Sequence, residues 1–168
     1  MTDARPSRTY SYDARLITPA DRAERSGLEI MQAILSGELP MAAVADTLDF
    51  RLVEVEPERV VFTAVPRKSA YNMFGAMHGG WAATLLDSAM GCAVNTIVPK
   101  GFHYTTVDLT INYVRAVTEA TGEVRVEGKL VHGGRRIATA EGRMTAADGR
   151  LLAHGLTTCM ILALSRDG

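Results

Sequence analysis

The sequence predicts an α+β domain in which one long apolar helix packs against an antiparallel sheet of about six strands. Residues 79–95 are apolar or small around most of the circumference of a helix, and such a helix belongs inside a protein. Residues 104–114 alternate apolar and polar side chains, which is the period of a strand. The pairs Gly133-Gly134 and Asp148-Gly149 are hairpin-turn signals that divide the rest of the chain into further strands.

The 168 residues fit one domain with a short N-terminal extension. We place residues 1–40 in an arm with a helix and residues 41–168 in the α+β domain. Residues 1–17 lack periodicity and predict a loose arm that a partner subunit could order. Helix-start signals follow at Thr18-Pro19 and at Ser26, and apolar residues then repeat at helical spacing until Gly37. We expect this helix to pack on the sheet, and the alternative is that it covers a pocket.

The other predicted strands are short runs of β-branched and apolar residues between turns. The first two form a hairpin around Pro57, and three more follow the alternating strand. The six expected strands span residues 48–55, 60–65, 104–114, 123–130, 137–145 and 151–162.

Composition restricts the classes of partner. The net charge of −1 gives no reason to expect nucleic acid or an anionic membrane. No run approaches the roughly 18 apolar residues that a membrane span requires, and the N-terminus lacks the apolar run of a signal peptide. The two cysteines do not suggest a disulfide framework, so a reducing compartment, the cytoplasm, is the expected location.

The predicted helix carries one stripe of polar and small residues. Members of the stripe are three or four positions apart, so they share one face; they are Gly80, Thr84, Asp87, Ser88, Gly91 and Asn95. A carboxylate on a buried helix is costly unless it is paired or faces a wet cleft. Asp87 is therefore a functional-site candidate.

Two glycines open this helix. Gly79 and Gly80 have no β-carbon, so a ligand could approach the first unpaired backbone N–H groups, where the helix dipole favours negative charge. An oxyanion site at the helix mouth and a carboxylate two turns further on suit hydrolysis of an activated acyl group. The alternative is that the glycines only permit tight packing and that Asp87 bonds to a neighbouring strand.

The motif Asn-x5-His-Gly-Gly-x6-Asp, from Asn72 to Asp87, resembles the signature of hotdog-fold acyl-CoA thioesterases. The closest resemblance is to the phenylacetate-pathway (PaaI-type) group, and it extends over residues 28–162. It implies a long helix wrapped by a curved antiparallel sheet, and a homotetramer built as a dimer of dimers. It also implies that no metal or redox cofactor is needed, coenzyme A being part of the substrate.

The resemblance assigns roles to five residues. Asp87 acts as general base or nucleophile, and the Gly79 N–H polarises the thioester carbonyl. Asn72 and His78 place substrate or water, and the strand hydroxyl that completes the site is Thr106. Asp87 of one subunit would face Asn72, His78 and Gly79 of the other.

Other residues are candidates for substrate binding. An apolar loop and the helix start would line the pocket together with Gly80, through Tyr71, Met73, Phe74, Met77 and Trp81. Arg135 and Arg136 could contact the phosphates of coenzyme A, because arginine forks suit phosphate. The alternative for this pair is a solvated hairpin end. The wall suits aryl-acetyl and medium-chain acyl groups equally.

The leading prediction is therefore a cytoplasmic acyl-CoA thioesterase. A non-catalytic acyl-CoA-binding protein is the alternative, because a fold does not fix a function, and a hotdog dehydratase or hydratase is a third possibility. The sequence has no Gly-x-Ser-x-Gly nucleophile motif. Its four histidines lack a metal-ligand spacing, and Cys92 has no paired base that would activate it.

Overall fold

A computed structural model of the protein describes residues 5–164. Its helices are α1 (Pro19–Glu24), α2 (Gly27–Ser36), α3 (Ala43–Leu48) and α4 (Gly79–Asn95). Its strands are β1 (Phe50–Glu56), β2 (Arg59–Ala64), β3 (Phe102–Tyr113), β4 (Val124–Gly133), β5 (Ile137–Ala146) and β6 (Leu151–Ala163). The predicted α+β class, the long helix and the six strands are confirmed.

The six strands form one antiparallel sheet in the order β1-β2-β4-β5-β6-β3. The long helix α4 packs across one face of this sheet and buries Leu85, Leu86 and Met90 completely against Phe62 and Met144. A long helix held against an antiparallel sheet is the hotdog arrangement. The strand β3 forms one edge of the sheet.

A row of glycines lets α4 lie close to the sheet. Gly128, Gly142 and Gly155 are direct neighbours on β4, β5 and β6. A β-carbon at Gly128 would overlap the backbone carbonyl of Ala89, and one at Gly142 would lie 2.8 Å from the side chain of Met90. Because real β-carbons do not approach other atoms so closely, larger residues here would push the helix away from the sheet.

A one-residue bulge in β3 decides which side chains face the helix. Thr106 pairs with the buried Cys159, and after the bulge Leu109 pairs with the buried Thr157. Directly paired residues share a face, so Thr106 and Leu109 both point inwards although they are three positions apart. Unbroken alternation would have turned one of them outwards.

The N-terminal part differs from expectation in two places. The helix α3 was not predicted, and Leu48, assigned to the first strand, ends it instead; β1 begins after Asp49, which takes a left-handed conformation. Residues 5–17 form no helix or strand, as predicted, but contacts with the domain of the same chain hold them in place. Arg8 donates to the carbonyl of Thr47 at 2.8 Å and pairs with Asp49 at 3.0 Å. Residues 1–4 of the arm and 165–168 of the domain lie outside the described part.

The helix α2 is confirmed with its predicted ends. Ser26 and Glu29 form a capping box, and Gly37 ends the helix with a left-handed conformation. Met31 is buried in the same core as α4. None of the helices within residues 5–164 is long and apolar enough to cross a membrane.

A salt-bridge network on β1, β2 and β4 makes stability depend on pH. Arg125 binds both carboxylate oxygens of Glu54, at 2.7 and 2.9 Å, and Arg59 donates to it at 2.8 Å. Bonds first from Arg125 and then from Arg59 lower the pKa of Glu54 from its ordinary 4.5 to about 2. A depressed carboxyl pKa stabilises the fold above the unfolded-state value, and this stabilisation is lost as the pH falls from 4.5 towards 2.

We therefore expect Glu54→Gln to lower the free energy of unfolding by about 1 kcal/mol near neutral pH, a modest value because the network is partly exposed. The deficit should shrink progressively below pH 4.5. Urea unfolding of both proteins across this pH range measures it. The exposed Glu141, which has no ion pair among the described residues, supplies the control Glu141→Gln. A deficit that does not change with pH would contradict the role of the Glu54 charge.

Candidate active site

Asp87 and Thr106 form a hydrogen-bonded pair between α4 and β3. The Thr106 hydroxyl donates to Oδ1 of Asp87 at 3.0 Å, and both side chains are half-buried. Thr106 faces α4 because it pairs with the buried Cys159 of β6, immediately before the bulge in β3. Within residues 5–164, no donor bonds Oδ2 of Asp87, so this oxygen can accept a proton or attack an electrophile.

The pair lies in a cavity of about 360 Å³, named here the carboxylate pocket. One wall is the polar stripe of α4, one is the start of β3, and the third is α2 with the residues after it. The apolar lining is Ile30, Met31, Ile34, Pro40, Met41 and Val98. The volume suits a small organic group, and α2 therefore both packs on the core and covers a pocket.

The two hydroxyls of the polar stripe are satisfied within the protein. Thr84 and Ser88 donate their hydroxyls to carbonyls one turn earlier, at 2.9 and 2.8 Å. Gly91 leaves room for Tyr104, whose hydroxyl would lie 3.0 Å from a β-carbon at that position. Asp87 is thus the member of the stripe with the capacity for chemistry.

At the N-terminal end of α4, His78 is the N-cap residue. Its Nδ1 accepts the N–H of Gly80 at 3.0 Å, so in a neutral ring the proton is on Nε2. The N–H of Gly80 therefore already has an acceptor, and its expected contact with substrate stays a prediction. The N–H of Gly79 finds no acceptor within residues 5–164, which leaves it able to hold an oxyanion.

The structure gives a different reason for glycine at position 79. The hydroxyl of Tyr113 donates to the Gly79 carbonyl at 3.0 Å, and a β-carbon on Gly79 would lie 3.2 Å from the phenol ring and oxygen. The absent side chain therefore makes room for Tyr113 rather than for a ligand. Sequence reasoning missed Tyr113; its place at the inward-facing end of the alternating strand was the available signal.

Asn72 organises the loop before α4. Its side-chain oxygen accepts the N–H groups of Phe74, at 2.8 Å, and of Ala76, at 3.3 Å. The side-chain NH₂ group keeps its donors for a ligand. Asn72 can therefore still place substrate, but only as a donor.

Asn72, His78 and Gly79 line a second cavity of about 350 Å³, the helix-mouth pocket, together with Met77, Tyr113 and Arg115. The carboxylate pocket contains none of these three residues. Gly79 and Asp87 are eight residues apart, which is about 12 Å along a helix. In a single chain, the predicted catalytic residues thus divide between two pockets.

Four of the five predicted apolar contacts lie outside the two pockets. Trp81 is only 3% exposed and donates its indole N–H to the carbonyl of Leu48, so it is a core residue. Tyr71 is half-buried and its hydroxyl accepts the N–H of Glu119 at 2.7 Å. Phe74 is 89% exposed in the loop before α4, and the neighbouring Met73 is exposed to a similar extent. Met77 alone of this set lines a described pocket.

Arg135 and Arg136 are exposed at the turn between β4 and β5. They line a third cavity, of about 750 Å³, and Phe102 is common to this cavity and the carboxylate pocket. Among the described residues, no carboxylate lies within 4.0 Å of either guanidinium. The pair is therefore available to an anion near the carboxylate pocket.

Two buried acidic groups near Asp87, a thiol and a phenol, stay protonated near neutral pH. Burial raises the pKa of the Cys92 thiol to about 12, and burial also raises the pKa of the Tyr104 phenol that contacts it. Cys92 is consequently not a nucleophile near neutral pH. No group of three or more potential metal ligands occurs within the part of the chain described.

The chain is similar in sequence to known thioesterases and esterases. The family model of the Thioesterase superfamily matches residues 74–153. An esterase of Halobacterium salinarum is 38% identical over 69 residues, which are 40% of this chain and 44% of that relative. The chain thus spans less than half of that protein. Acyl-coenzyme A thioesterase 13 of Mus musculus is 28% identical over 64% of this chain and 76% of its own length.

Among solved structures, a thioesterase related to phenylacetic acid degradation from Ralstonia eutropha superposes with a TM-score of 0.70. It is 26% identical, and the match covers 77% of this chain and 98% of that one. These matches confirm the resemblance to hotdog-fold thioesterases, and the PaaI-type group is consistent with them.

Proposed function

We propose that the protein is an acyl-CoA thioesterase that hydrolyses a thioester to a free acid and coenzyme A. The observation that carries this proposal is the Asp87–Thr106 pair in an apolar pocket. A carboxylate held on one oxygen and free on the other has the features of a general base or a nucleophile. The name of the mouse relative, an acyl-coenzyme A thioesterase, supports the class of substrate.

Asp87 has two routes to the same products. As a base, its Oδ2 takes a proton from water, the water oxygen bonds to the thioester carbon, and the C–S bond breaks to release the coenzyme A thiolate. As a nucleophile, Oδ2 itself bonds to that carbon and expels the thiolate, and water then hydrolyses the anhydride. In both routes the Gly79 N–H stabilises the negative charge on the carbonyl oxygen.

The division of the site between two pockets supports a composite site in a dimer. Among the described strands, the edge strand β3 leaves one row of backbone groups without a sheet partner, and Val107 is 53% exposed on it. Such an edge can pair with a second copy. Two-fold antiparallel pairing centred near Leu109 would set Thr106 of one protomer opposite the Tyr113 end of the other. Asp87 of one protomer would then face the helix mouth of its partner.

Other parts of the proposal follow from the same arrangement. The apolar wall of the carboxylate pocket would hold the acyl group, and Arg135 and Arg136 would bind phosphates of coenzyme A. Two such dimers would form the homotetramer, and the cytoplasm would be its location.

Thr106→Ala should lower kcat about tenfold, since the methyl side chain can no longer hold Oδ1 by one hydrogen bond. KM should change little, because Thr106 contacts the carboxylate rather than the acyl group in this account. Steady-state release of free thiol measures both constants. Thr139→Ala, on the outer face of β5 and away from β3, is the matched control. An unchanged kcat for Thr106→Ala would remove Thr106 from the catalytic set.

The proposal is tested by free-thiol release from short, medium, long and aryl acyl-CoAs, ranked by kcat/KM. We expect turnover of at least one of them. Calorimetric titration with the same compounds separates the alternative, because a non-catalytic acyl-CoA-binding protein would bind tightly without releasing thiol. Failure of all substrates would contradict the thioesterase proposal.

A further inference from the structure

Tyr113 lies at the end of β3, against the first turn of α4. Its side chain is on the inward face of the sheet but remains 56% exposed, and it lines the helix-mouth pocket with His78 and Gly79. The phenol ring fills the space left by the missing side chain of Gly79. Neither the fold's core nor the proposed reaction accounts for its hydroxyl.

The hydroxyl begins a chain of two hydrogen bonds through one peptide group. It donates to the carbonyl of Gly79 at 3.0 Å, and the N–H of the same peptide belongs to Gly80. That N–H donates to Nδ1 of His78 at 3.0 Å. Consecutive hydrogen bonds polarise one another, so the bond from Tyr113 makes the Gly80 N–H a better donor.

The last acceptor in this series of hydrogen bonds, Nδ1 of His78, determines the tautomer of the imidazole. A nitrogen that accepts a hydrogen bond carries no proton, so a neutral His78 has its proton on Nε2. The exposed Nε2–H is then a donor towards the helix-mouth pocket. A histidine with the proton on Nδ1 would instead place two N–H groups against each other.

We propose that Tyr113 is a positioning residue that holds His78 in its Nε2–H form through the peptide group between Gly79 and Gly80. The same contact fixes the orientation of the first turn of α4, from which the Gly79 N–H points. The proposal rests on the proposed thioesterase function only for its effect on rate. The tautomer of His78 is independent of any substrate.

The variant Tyr113→Phe keeps the ring against Gly79 and removes only the hydroxyl. We expect kcat for acyl-CoA hydrolysis to fall about three- to tenfold, the factor that one hydrogen bond provides, with KM almost unchanged. Tyr12→Phe is the matched control, because Tyr12 is exposed on the arm and its hydroxyl has no partner within residues 5–164. It should behave as the wild type.

Nitrogen NMR of the imidazole rings gives the second readout, with the His78 signals assigned by their loss in His78→Gln. In the wild type at a pH where the ring is neutral, His78 should carry its proton on Nε2. In Tyr113→Phe the signals should move towards a mixture of the two tautomers, and the Gly80 amide should exchange faster with solvent.

The outcomes separate the two proposals. A wild type with the Nδ1–H tautomer overturns the inference without any variant. An active wild type whose His78 signals or kcat do not change in Tyr113→Phe overturns it as well. If no acyl-CoA is hydrolysed but the tautomer changes as described, the thioesterase function fails and the positioning role of Tyr113 stands.

Discussion

Asp87→Asn is expected to lower kcat by about 100- to 10,000-fold, the range that a positioned general base or acid contributes. The amide has the shape of the carboxylate and can still accept the bond from Thr106, so the pocket should keep its form. It can neither take a proton from water nor attack the thioester carbon. Substrate binding should therefore change little while the chemical step is lost.

Thiol release and calorimetric binding of the best acyl-CoA measure the two effects separately. Glu141→Gln is the control for the loss of one negative charge, because Glu141 is exposed on β5 and has no ion pair among the described residues. A near wild-type kcat for Asp87→Asn would contradict the mechanism, and an equal loss in Glu141→Gln would show that net charge is responsible.

Gly79→Val should reduce kcat by about 100- to 1,000-fold, the effect of losing one oxyanion donor. The first added carbon would lie 3.2 Å from the Tyr113 ring, and the two further methyl carbons of valine need more space. The first turn of α4 must then shift, which moves the Gly79 N–H away from the thioester oxygen. The bond from Tyr113 to the Gly79 carbonyl should break as well.

Thermal unfolding shows whether the Gly79→Val protein is folded, and thiol release gives its rate. Ala83→Val adds the same branched side chain one turn further along α4, at a half-buried position, and should retain most of the activity. A folded Gly79→Val protein with full activity would remove the helix mouth from the reaction.

The sequence was sufficient for the elements with strong local patterns. The helix α4 is long, apolar and opened by two glycines, and β3 alternates over 11 residues in the predicted range 104–114. Both were therefore identified from the periodicity of their side chains. The short α3 has no side-chain cap at its start, and the residue at its C-cap is Asp49 rather than glycine, so no start or stop signal marked it.

The site depends on features that local patterns do not contain. The bulge at Val107 is set by pairing with β6, and without it Thr106 could not share a face with Leu109. The role of Gly79 is set by Tyr113, which is 34 residues away in the chain. Trp81 follows the two glycines at the start of α4, where a pocket residue was expected, but tertiary packing buries its side chain in the core.

The central claim is that Asp87 of one protomer acts with the helix mouth of another, and a purified heterodimer tests it most directly. Asp87→Asn and Gly79→Val subunits, co-expressed with different tags, should each be almost inactive alone. In a heterodimer, Asp87 from the Gly79→Val subunit meets an intact Gly79 on the other subunit, so one of the two sites is complete. We predict that thiol release returns to a large fraction of the wild-type rate per complete site. A heterodimer no more active than the two parent variants would contradict a composite site.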